Sequence, residues 1–331
     1  MIGIVLLNLG GPDSLDAVQP FLFNLFSDPD IIDFPLSFLF RKRLAKMIST
    51  RRSPGVIEQY REIGGKSPLK DHTLRQAALL EEKLNERMPA RVYVAMRYWH
   101  PSTDEALDAI EQDGIKKVVL LPLYPQFSMA TTTSSLKEWE KQLRLRNLNI
   151  EYSLIEQYYD QPTFVDAWIE RIQQGLERFP EDVRGEANIL FSAHGTPMKL
   201  VRSGDPYSTH IAKTIEAIML RGRFEQPHHL CYQSKVGPLK WLTPSTPETI
   251  AKLATGGVEN MLLAPIAFTS DHLETLFELG IEYRRQAKQS GVVQYEVAEG
   301  LNDSPKFIDA LAELVFEKLG VARDMAEGAT G

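Results

Sequence analysis

The chain has 331 residues and a formal net charge of −7, with 43% hydrophobic and 24% charged residues. This composition is typical of a folded soluble protein with room for two domains of ordinary size. The negative charge argues against a general nucleic-acid binder. Because Cys231 is the only cysteine, the chain cannot form an intramolecular disulfide or hold an iron–sulfur cluster with several cysteines.

Short apolar runs rich in β-branched residues alternate with helical patterns along the chain. The predicted strands are residues 2–9, 91–96, 117–123, 150–155, 187–192, 229–233, 260–268 and 293–298. The predicted helices include residues 69–87, 102–112, 164–178, 206–220, 247–254, 271–289 and 305–319. This alternation predicts an α/β fold of two similar doubly wound domains, each with a four-stranded parallel sheet flanked by helices.

The grouping of the strands suggests where the domains divide. We expect an N-terminal domain over residues 1–158, a C-terminal domain over 159–303, a helix over 304–320 that can pack back on the first domain, and a small polar tail over 321–331.

The start of the chain lacks the basic region and cleavage site of a signal peptide, and no apolar run reaches 18 residues. These two features predict a cytoplasmic location.

The carboxyl ends of the predicted strands carry the residues that favour ligand binding. Aromatic residues, Gly-Pro turns and two histidines follow the strands, and ligands of open parallel sheets bind outside these ends. We therefore expect a cleft between the two domains. The same pattern suits a periplasmic-type binding protein, although the missing signal peptide argues against that class. No dinucleotide fingerprint, Walker element or G-x-S-x-G elbow is present.

His194 follows the predicted strand 187–192, and an acidic helix follows the strand 260–268. An imidazole has an ordinary pKa of about 6.5 and can accept a proton at neutral pH. Glu274, Glu278 and Glu282 stand at i, i+4 and i+8, where like charges repel by roughly 0.2–0.5 kcal/mol per pair. The competing interpretations are a strand-capping histidine and a solvated acidic face. The apolar neighbours of the glutamates favour a site that moves protons or a metal cation.

Several motifs of the chain resemble the ferrochelatase family. Residues 190–197 (Leu-Phe-Ser-Ala-His-Gly-Thr-Pro), 233–242 and 265–283 match its motifs in the second half, and residues 6–12, 58–60, 63–65, 67–68 and 123–126 match in the first. The resemblance covers residues 2 to about 320. It implies the chelatase fold and the insertion of ferrous iron into a porphyrin, the last step of haem synthesis.

The resemblance also implies roles for individual residues. The family's catalytic and metal-site His and Glu correspond to His194 and Glu274. Its porphyrin-contacting residues correspond to Arg52, Tyr60 and Ser67, and its cleft residues to Arg97, Tyr98, Tyr124 and Phe268. Many members hold an iron–sulfur cluster with four cysteines, which this chain does not have, so we expect no cofactor and regard Fe²⁺ as a substrate.

The chemistry of porphyrin metallation fits these residues. A flat apolar ring needs aromatic walls, and Trp241 is a further candidate for one of them. We expect His194 to accept pyrrole protons, while Glu274, with Glu278 and Glu282 as accessory groups, conducts cations or protons. Entry of the metal from the His194 side is the alternative. His272 either belongs to the same metal or proton path or holds Glu274 in place.

The sequence leaves several alternatives open. The predicted reaction converts protoporphyrin IX and Fe²⁺ into haem b with release of two protons. Coproporphyrin III as the substrate, a cobalt or nickel chelatase acting on another tetrapyrrole, and a non-catalytic tetrapyrrole or metal carrier are the alternatives. The oligomeric state is not determined by the sequence.

The apolar residues 21–26 and 31–40 are followed directly by the basic residues 41–43 and Lys46. One interpretation is a buried amphipathic helix. The other is a lip at the mouth of the cleft that dips into the inner membrane, with its basic flank against anionic lipid. The second interpretation predicts peripheral membrane association, with Phe38 and Leu39 among the contacting residues.

Overall fold

A computed structural model of the chain describes residues 1–29, 37–234 and 239–321, except for the side chains of residues 37–39. The predicted contacts of Phe38 and Leu39 and the tail beyond Val321 therefore lie outside what is described. Within the described ranges, no helix is both long and apolar enough to cross a membrane.

Over the described residues, eight strands form two parallel sheets, as the alternating sequence pattern predicts. The strands are β1 (Ile2–Asn8), β2 (Ala90–Met96), β3 (Lys117–Pro122), β4 (Glu151–Leu154), β5 (Asn188–His194), β6 (His228–Gln233), β7 (Asn260–Ala264) and β8 (Gln294–Val297). The first sheet has the order β2-β1-β3-β4 and the second has the order β6-β5-β7-β8. The two halves of the chain therefore repeat one topology.

Helices cover both faces of each sheet. In the first half they are α1 (Val18–Ser27), α2 (Ser37–Glu62), α3 (Leu69–Asn85), α4 (Thr103–Gln112), a first π-helix (Met129–Thr133) and α5 (Ser134–Arg146). In the second half they are α6 (Pro162–Leu176), α7 (Glu181–Arg184), α8 (Met198–Arg202), α9 (Tyr207–Gly222), α10 (Thr246–Thr255), a second π-helix (Glu274–Glu282), α11 (Tyr283–Gln289) and α12 (Pro305–Leu319).

One apolar core joins the two sheets. In β1, Ile4 and Leu6 point toward this shared core, whereas Val5 and Leu7 pack in a separate cluster with α4 and α5. The shared core also holds Phe191 from the second sheet. Because β1 and β5 are inner strands, both of their faces are buried, which explains why their sequences are continuously apolar.

Helix α12 packs on this core and contacts both halves of the chain. It packs against α3 of the first half and α6 of the second, and Phe307 on it is fully buried in the shared core. Polar contacts flank the apolar ones: Lys83 pairs with Asp309 at 3.0 Å, and Thr163 donates to Glu313 at 2.9 Å. Residues 305–319 thus contact both halves, and the boundaries of separate domains stay a prediction.

The repetition extends to local chemistry at the carboxyl end of the strands. A Pro-Ser-Thr triplet precedes α4 at residues 101–103 and precedes α10 at residues 244–246. In each case the proline follows a cis peptide bond and the serine forms a capping box with a glutamate three residues later. A π-helix likewise follows the third strand of each half.

Two sequence-based boundaries in the second half were wrong. The strand predicted over residues 260–268 ends at Ala264, because Pro265 has no N–H to continue the ladder. The helix predicted over residues 271–289 begins at Glu274 and is a π-helix as far as Glu282. Apolar periodicity and N-cap chemistry do not distinguish i→i+5 from i→i+4 hydrogen bonding, which tertiary contacts decide.

Helices α1 and α2 pack on each other beside the strand ends. Their apolar cluster includes Val18, Leu22, Phe26 and Tyr60, and Leu273 from the second half packs against it. The two helices therefore reach across to the segment that carries the acidic helix of the second half.

Candidate active site

His194 ends the inner strand β5, at the edge where both sheets present their carboxyl ends. Its Nδ1 lies 2.6 Å from the carbonyl oxygen of Gly195, and because a carbonyl only accepts hydrogen bonds, Nδ1 carries the proton. Nε2 is therefore the nitrogen available to a proton or a metal ion. It lies 3.7 Å from Oε1 of Glu274, and the side chain is 37% exposed, so a ligand can reach it.

His272 approaches the same carboxylate from its other side. Its Nδ1 donates to the carbonyl oxygen of Ser270 at 3.2 Å, which again leaves Nε2 available. This Nε2 lies 3.6 Å from Oε2 of Glu274. Two imidazoles of the same tautomer thus face one carboxylate.

Glu274 is the first residue of the second π-helix. Burial alone would raise the pKa of its carboxyl, but the positive charges that His194 and His272 carry when protonated outweigh burial and hold the pKa well below its ordinary value. Oε2 is buried and has no hydrogen-bond partner among the described residues. Over the same residues, no three or more His, Cys, Asp and Glu side chains are grouped so that they could hold a metal ion.

Two aromatic side chains, Phe268 and Trp241, flank the histidines. The ring of Phe268 lies 4.4 Å from that of His272 and 6.2 Å from that of His194, measured between centroids. Trp241 lies 6.4 Å from His194. Gly195 permits this approach, because a Cβ there would stand 3.3 Å from the Trp241 ring and 2.9 Å from a backbone oxygen.

Glu278 and Glu282 continue from Glu274 along the π-helix, and we call these three residues the acidic column. Burial and the charge of Glu274 raise the pKa of Glu278 to about 8, and Glu282 adds to this effect. The hydroxyl of Ser234 donates to Glu278 at 3.2 Å from a left-handed backbone conformation (φ 65°). At neutral pH the column therefore holds an ionised Glu274 beside a protonated Glu278.

Tyr60 and Arg52 reach the acidic column from α2. Tyr60 is buried, and burial together with the charge of Glu274 raises the pKa of its hydroxyl, which stays neutral. The positive charge of Arg52 acts on Glu278 and opposes the rise of its pKa. An ion pair of 2.7 Å between Glu62 and Arg285 also joins α2 to the helix that follows the column.

Ser67 and Tyr124 are more enclosed than their predicted role as porphyrin contacts suggests. Ser67 is 2% exposed, its Oγ accepts from the N–H of Leu69, and a Cβ at Gly11 would stand 2.5 Å from that oxygen. Tyr124 is 9% exposed, and its hydroxyl lies 3.4 Å from Ser135. Their contact with a porphyrin stays a prediction.

Arg97 and Tyr98 are bound into a buried network around Asp28. One carboxylate oxygen of Asp28 accepts from the Arg97 guanidinium at 2.6 Å and from the Tyr98 hydroxyl at 2.7 Å. The guanidinium also contacts Ser134 at 3.1 Å and Glu138 at 3.6 Å. These contacts fix the end of α1 to the ends of β2 and α5. They give Arg97 and Tyr98 a structural role, and their predicted role in the cleft stays untested.

Asp28 and Ser234 were missed in the sequence. Asp28 follows an apolar helix, and its partners Arg97 and Tyr98 lie 69 and 70 residues further along the chain, so no local pattern identifies it as the centre of a network. Ser234 lies within the motif at residues 233–242, but only its backbone conformation and its contact with Glu278 single it out.

Comparison with known proteins gives consistent results. The family model described as ferrochelatase matches residues 1–319. A protein of Trichodesmium erythraeum named ferrochelatase is 45% identical over 333 aligned positions, which cover 98% of this chain and 85% of that protein. A protein of Geotalea daltonii with the same name is 44% identical, over 94% of this chain and 96% of that protein.

A solved structure extends the comparison to the fold. The sirohydrochlorin chelatase SirB from Bacillus subtilis, in complex with cobalt, superposes with a TM-score of 0.54 at 12% identity. The match covers 96% of this chain and 94% of SirB. At this identity the likeness concerns the architecture of two flanked parallel sheets and not the substrate.

The Asp28 network yields a test of stability. Asp28→Asn keeps the shape of the side chain but removes the charge that compensates the largely buried Arg97. We expect the free energy of unfolding to fall by about 3 kcal/mol, the lower end for breaking a buried pair, since Glu138 remains nearby. Urea denaturation measures this change.

The control is Glu151→Gln, which removes the partner of Lys117 in an ion pair whose two side chains are both about two-thirds exposed. An exposed pair of this kind contributes roughly 0–1 kcal/mol. Equal stability of Asp28→Asn and the wild-type protein would contradict the structural role of the network.

Proposed function

The chain belongs to the ferrochelatase family, and from this premise we propose that its site inserts Fe²⁺ into protoporphyrin IX, giving haem b and two protons. The observation that carries the proposal is the Glu274 carboxylate, which stands between Nε2 of His194 and Nε2 of His272, with one oxygen buried and without a hydrogen-bond partner among the described residues. Such an oxygen can receive a cation or a proton. Porphyrin and ferrous iron are both substrates in this scheme.

The proton chemistry follows from the tautomer of His194. Each pyrrole N–H must lose its proton as the metal takes the nitrogen lone pairs. Nε2 of His194 can accept such a proton, and the ionised Glu274 at 3.7 Å stabilises the imidazolium that forms. A carboxylate beside a catalytic imidazole serves the same electrostatic purpose in hydrolytic triads.

The acidic column supplies the path to and from the ring. Glu278 is protonated near neutral pH and Glu274 is ionised, so a proton can pass between neighbouring carboxyl groups. Imidazole and carboxylate together also suit ferrous iron in transit. The same geometry accommodates metal arriving on the His194 side.

The aromatic side chains and α2 account for the porphyrin itself. Phe268 and Trp241 stand beside His194 and can contact the flat face of the ring. Arg52 and Tyr60 supply a cation and a hydroxyl for propionates or for the column. No resident cofactor is proposed, because Cys231 is buried and is the only cysteine.

An anaerobic assay of protoporphyrin IX and coproporphyrin III with Fe²⁺ and Zn²⁺ tests the substrate. Conversion of the four visible bands of the free base into the two of a metalloporphyrin marks turnover, whereas a carrier would only shift the bands. We propose protoporphyrin IX as the substrate, and faster metallation of coproporphyrin III would replace it. The names of the relatives favour iron over the cobalt and nickel alternatives.

We further propose a cytoplasmic enzyme that associates peripherally with a membrane through the start of α2. Phe40 is 52% exposed and Met47 is 61% exposed, although both are large apolar side chains. Basic residues at positions 41–43 and 46 lie between them in the sequence. Apolar side chains flanked by cations are typical of interfacial helices on anionic lipid.

The site predicts strongly non-additive losses. His194→Ala and Glu274→Gln should each lower kcat by roughly 10²–10⁴-fold, the usual contribution of a proton-transfer group. The double variant should lose little more than the worse single one, because both residues act on one exchange of two protons for one metal. Stopped-flow metallation with Zn²⁺ measures these rates.

Porphyrin fluorescence titration provides the control for this experiment. We expect each variant to bind the free base about as tightly as wild type, so that unmetallated porphyrin accumulates on the protein. Near wild-type turnover of His194→Ala would remove His194 from the mechanism.

Glu278→Gln should have a milder effect than Glu274→Gln. Glu278 is already neutral at pH 7, so the amide preserves its shape and charge but cannot relay a proton. We expect a KM for metal raised by roughly two- to tenfold, about 1 kcal/mol, with a small change in kcat. Equal losses at both positions without a metal effect would indicate a structural role for the helix.

The membrane proposal predicts salt-sensitive binding to anionic vesicles. Phe40→Ser combined with Met47→Ser should reduce binding in a flotation assay, because it removes apolar side chains that would enter the interface. Leu220→Ser is the matched control, since Leu220 is 72% exposed but lies on α9 of the second half. No binding of the wild-type protein at low salt would reject the proposal.

A further inference from the structure

Gln76 lies on α3 of the first half, fully buried, yet its two hydrogen bonds both go to the second half. Its Nε2 donates to Oγ of Ser270 at 2.8 Å and to the carbonyl oxygen of Asn302 at 2.6 Å. The Asn302 oxygen can only accept, so the amide orientation of Gln76 is fixed by this contact. A single side chain of the first half thus holds two points of the second.

Ser270 is the residue whose backbone orients His272. The carbonyl oxygen of Ser270 accepts the Nδ1 proton of His272, which leaves Nε2 directed at Glu274. Moving residue 270 would move this acceptor and remove the preference for one tautomer. The hydrogen bond from Gln76 is therefore one step removed from the imidazole that faces the carboxylate.

Asn302 clamps the same segment from its other side. Its Oδ1 accepts from the N–H of Asp271, its Nδ2 donates to the Asp271 carboxylate at 2.7 Å, and its own N–H donates to the carbonyl oxygen of Thr269. Asn302 does so from a left-handed conformation (φ 47°), which asparagine adopts more readily than most residues. Gln76 contacts the same residue through the Asn302 carbonyl oxygen.

The remaining atom of Gln76 argues against a purely stabilising role. Its Oε1 is buried and has no hydrogen-bond partner in the described part of the chain. An unpaired buried carbonyl costs free energy. The position therefore favours an amide because its two N–H groups hold residues 269–272 and Asn302 in place.

We propose that Gln76 is a positioning residue that sets the tautomer and orientation of His272 from the opposite half of the molecule. The metal effect expected from this rests on the proposed function, in which His272 shares the carboxylate that receives iron. Partners that orient a metal-binding imidazole typically change metal affinity or activity by 10- to 100-fold when removed.

The test compares Gln76→Met with Gln126→Met. The first removes both donors while keeping the length of the side chain. The second is a matched control, because Gln126 is also buried and also bonds across the halves, to Thr214 at 3.2 Å, but not to residues 269–272. Ser270→Ala is a second variant that cuts only the serine contact, in case Gln76→Met folds poorly.

Two readouts are measured on each full-length protein. The ¹⁵N shifts of labelled histidine rings report the tautomer of His272 without any turnover, and steady-state kinetics with Zn²⁺ as the probe metal report KM. Gln76→Met should give a mixture of His272 tautomers and a KM raised roughly 10- to 100-fold, with porphyrin affinity unchanged. Ser270→Ala should shift both readouts in the same direction by less, and Gln126→Met should shift neither.

The outcomes separate the two claims. An unchanged His272 tautomer in both Gln76→Met and Ser270→Ala overturns the positioning role, as does an equal change in Gln126→Met. A changed tautomer with an unchanged KM supports the positioning role and instead rejects the part of His272 in the proposed metal path.

Discussion

The burial of one apolar core between two sheets is the constraint on which the site depends. His194 and Glu274 belong to the second half, but Tyr60, Arg52 and Gln76 belong to the first. None of the first-half groups would stand beside the acidic column unless α12 and the facing sheets fixed the two carboxyl edges together. The shared core is apolar and non-directional, so it supplies cohesion. The polar contacts between the carboxyl edges of the two sheets fix their relative position.

The two halves share a topology but not a chemistry. The strand pairings place Leu9, directly after β1, at the position equivalent to His194 at the end of β5. A glycine follows each of these two residues. The first half thus presents an apolar side chain where the second presents an imidazole. A repeated scaffold provides two sets of strand ends, and the proposed catalytic residues His194 and Glu274 both lie at or after strand ends of the second half. The first half contributes Arg52 and Tyr60 from α2 and Gln76 from α3.

Local patterns predicted most of the fold and the centre of the site, and long-range contacts account for the rest. Strands such as Lys117–Pro122 are apolar runs bounded by turns, so the sequence indicates them directly. His194 and Glu274 follow strands, where the topology itself predicts ligands. Asp28 and Gln76 have partners 69 to 226 residues away, and no spacing rule reports such contacts. The π-helical hydrogen bonding of residues Glu274–Glu282 also depends on tertiary packing.

Helix α12 has a consequence for the order in which the chain can fold. It completes the core against α3, and the contact from Gln76 to Asn302 beside it spans 226 residues. Closing so long a loop costs conformational entropy before any apolar surface is gained in return. Each sheet can therefore form early from contacts between residues closer in sequence. The face of each sheet that belongs to the shared core stays exposed until α12 docks. An intermediate with two exposed apolar faces is prone to self-association, and the docking of α12 buries apolar surface of both halves in the shared core.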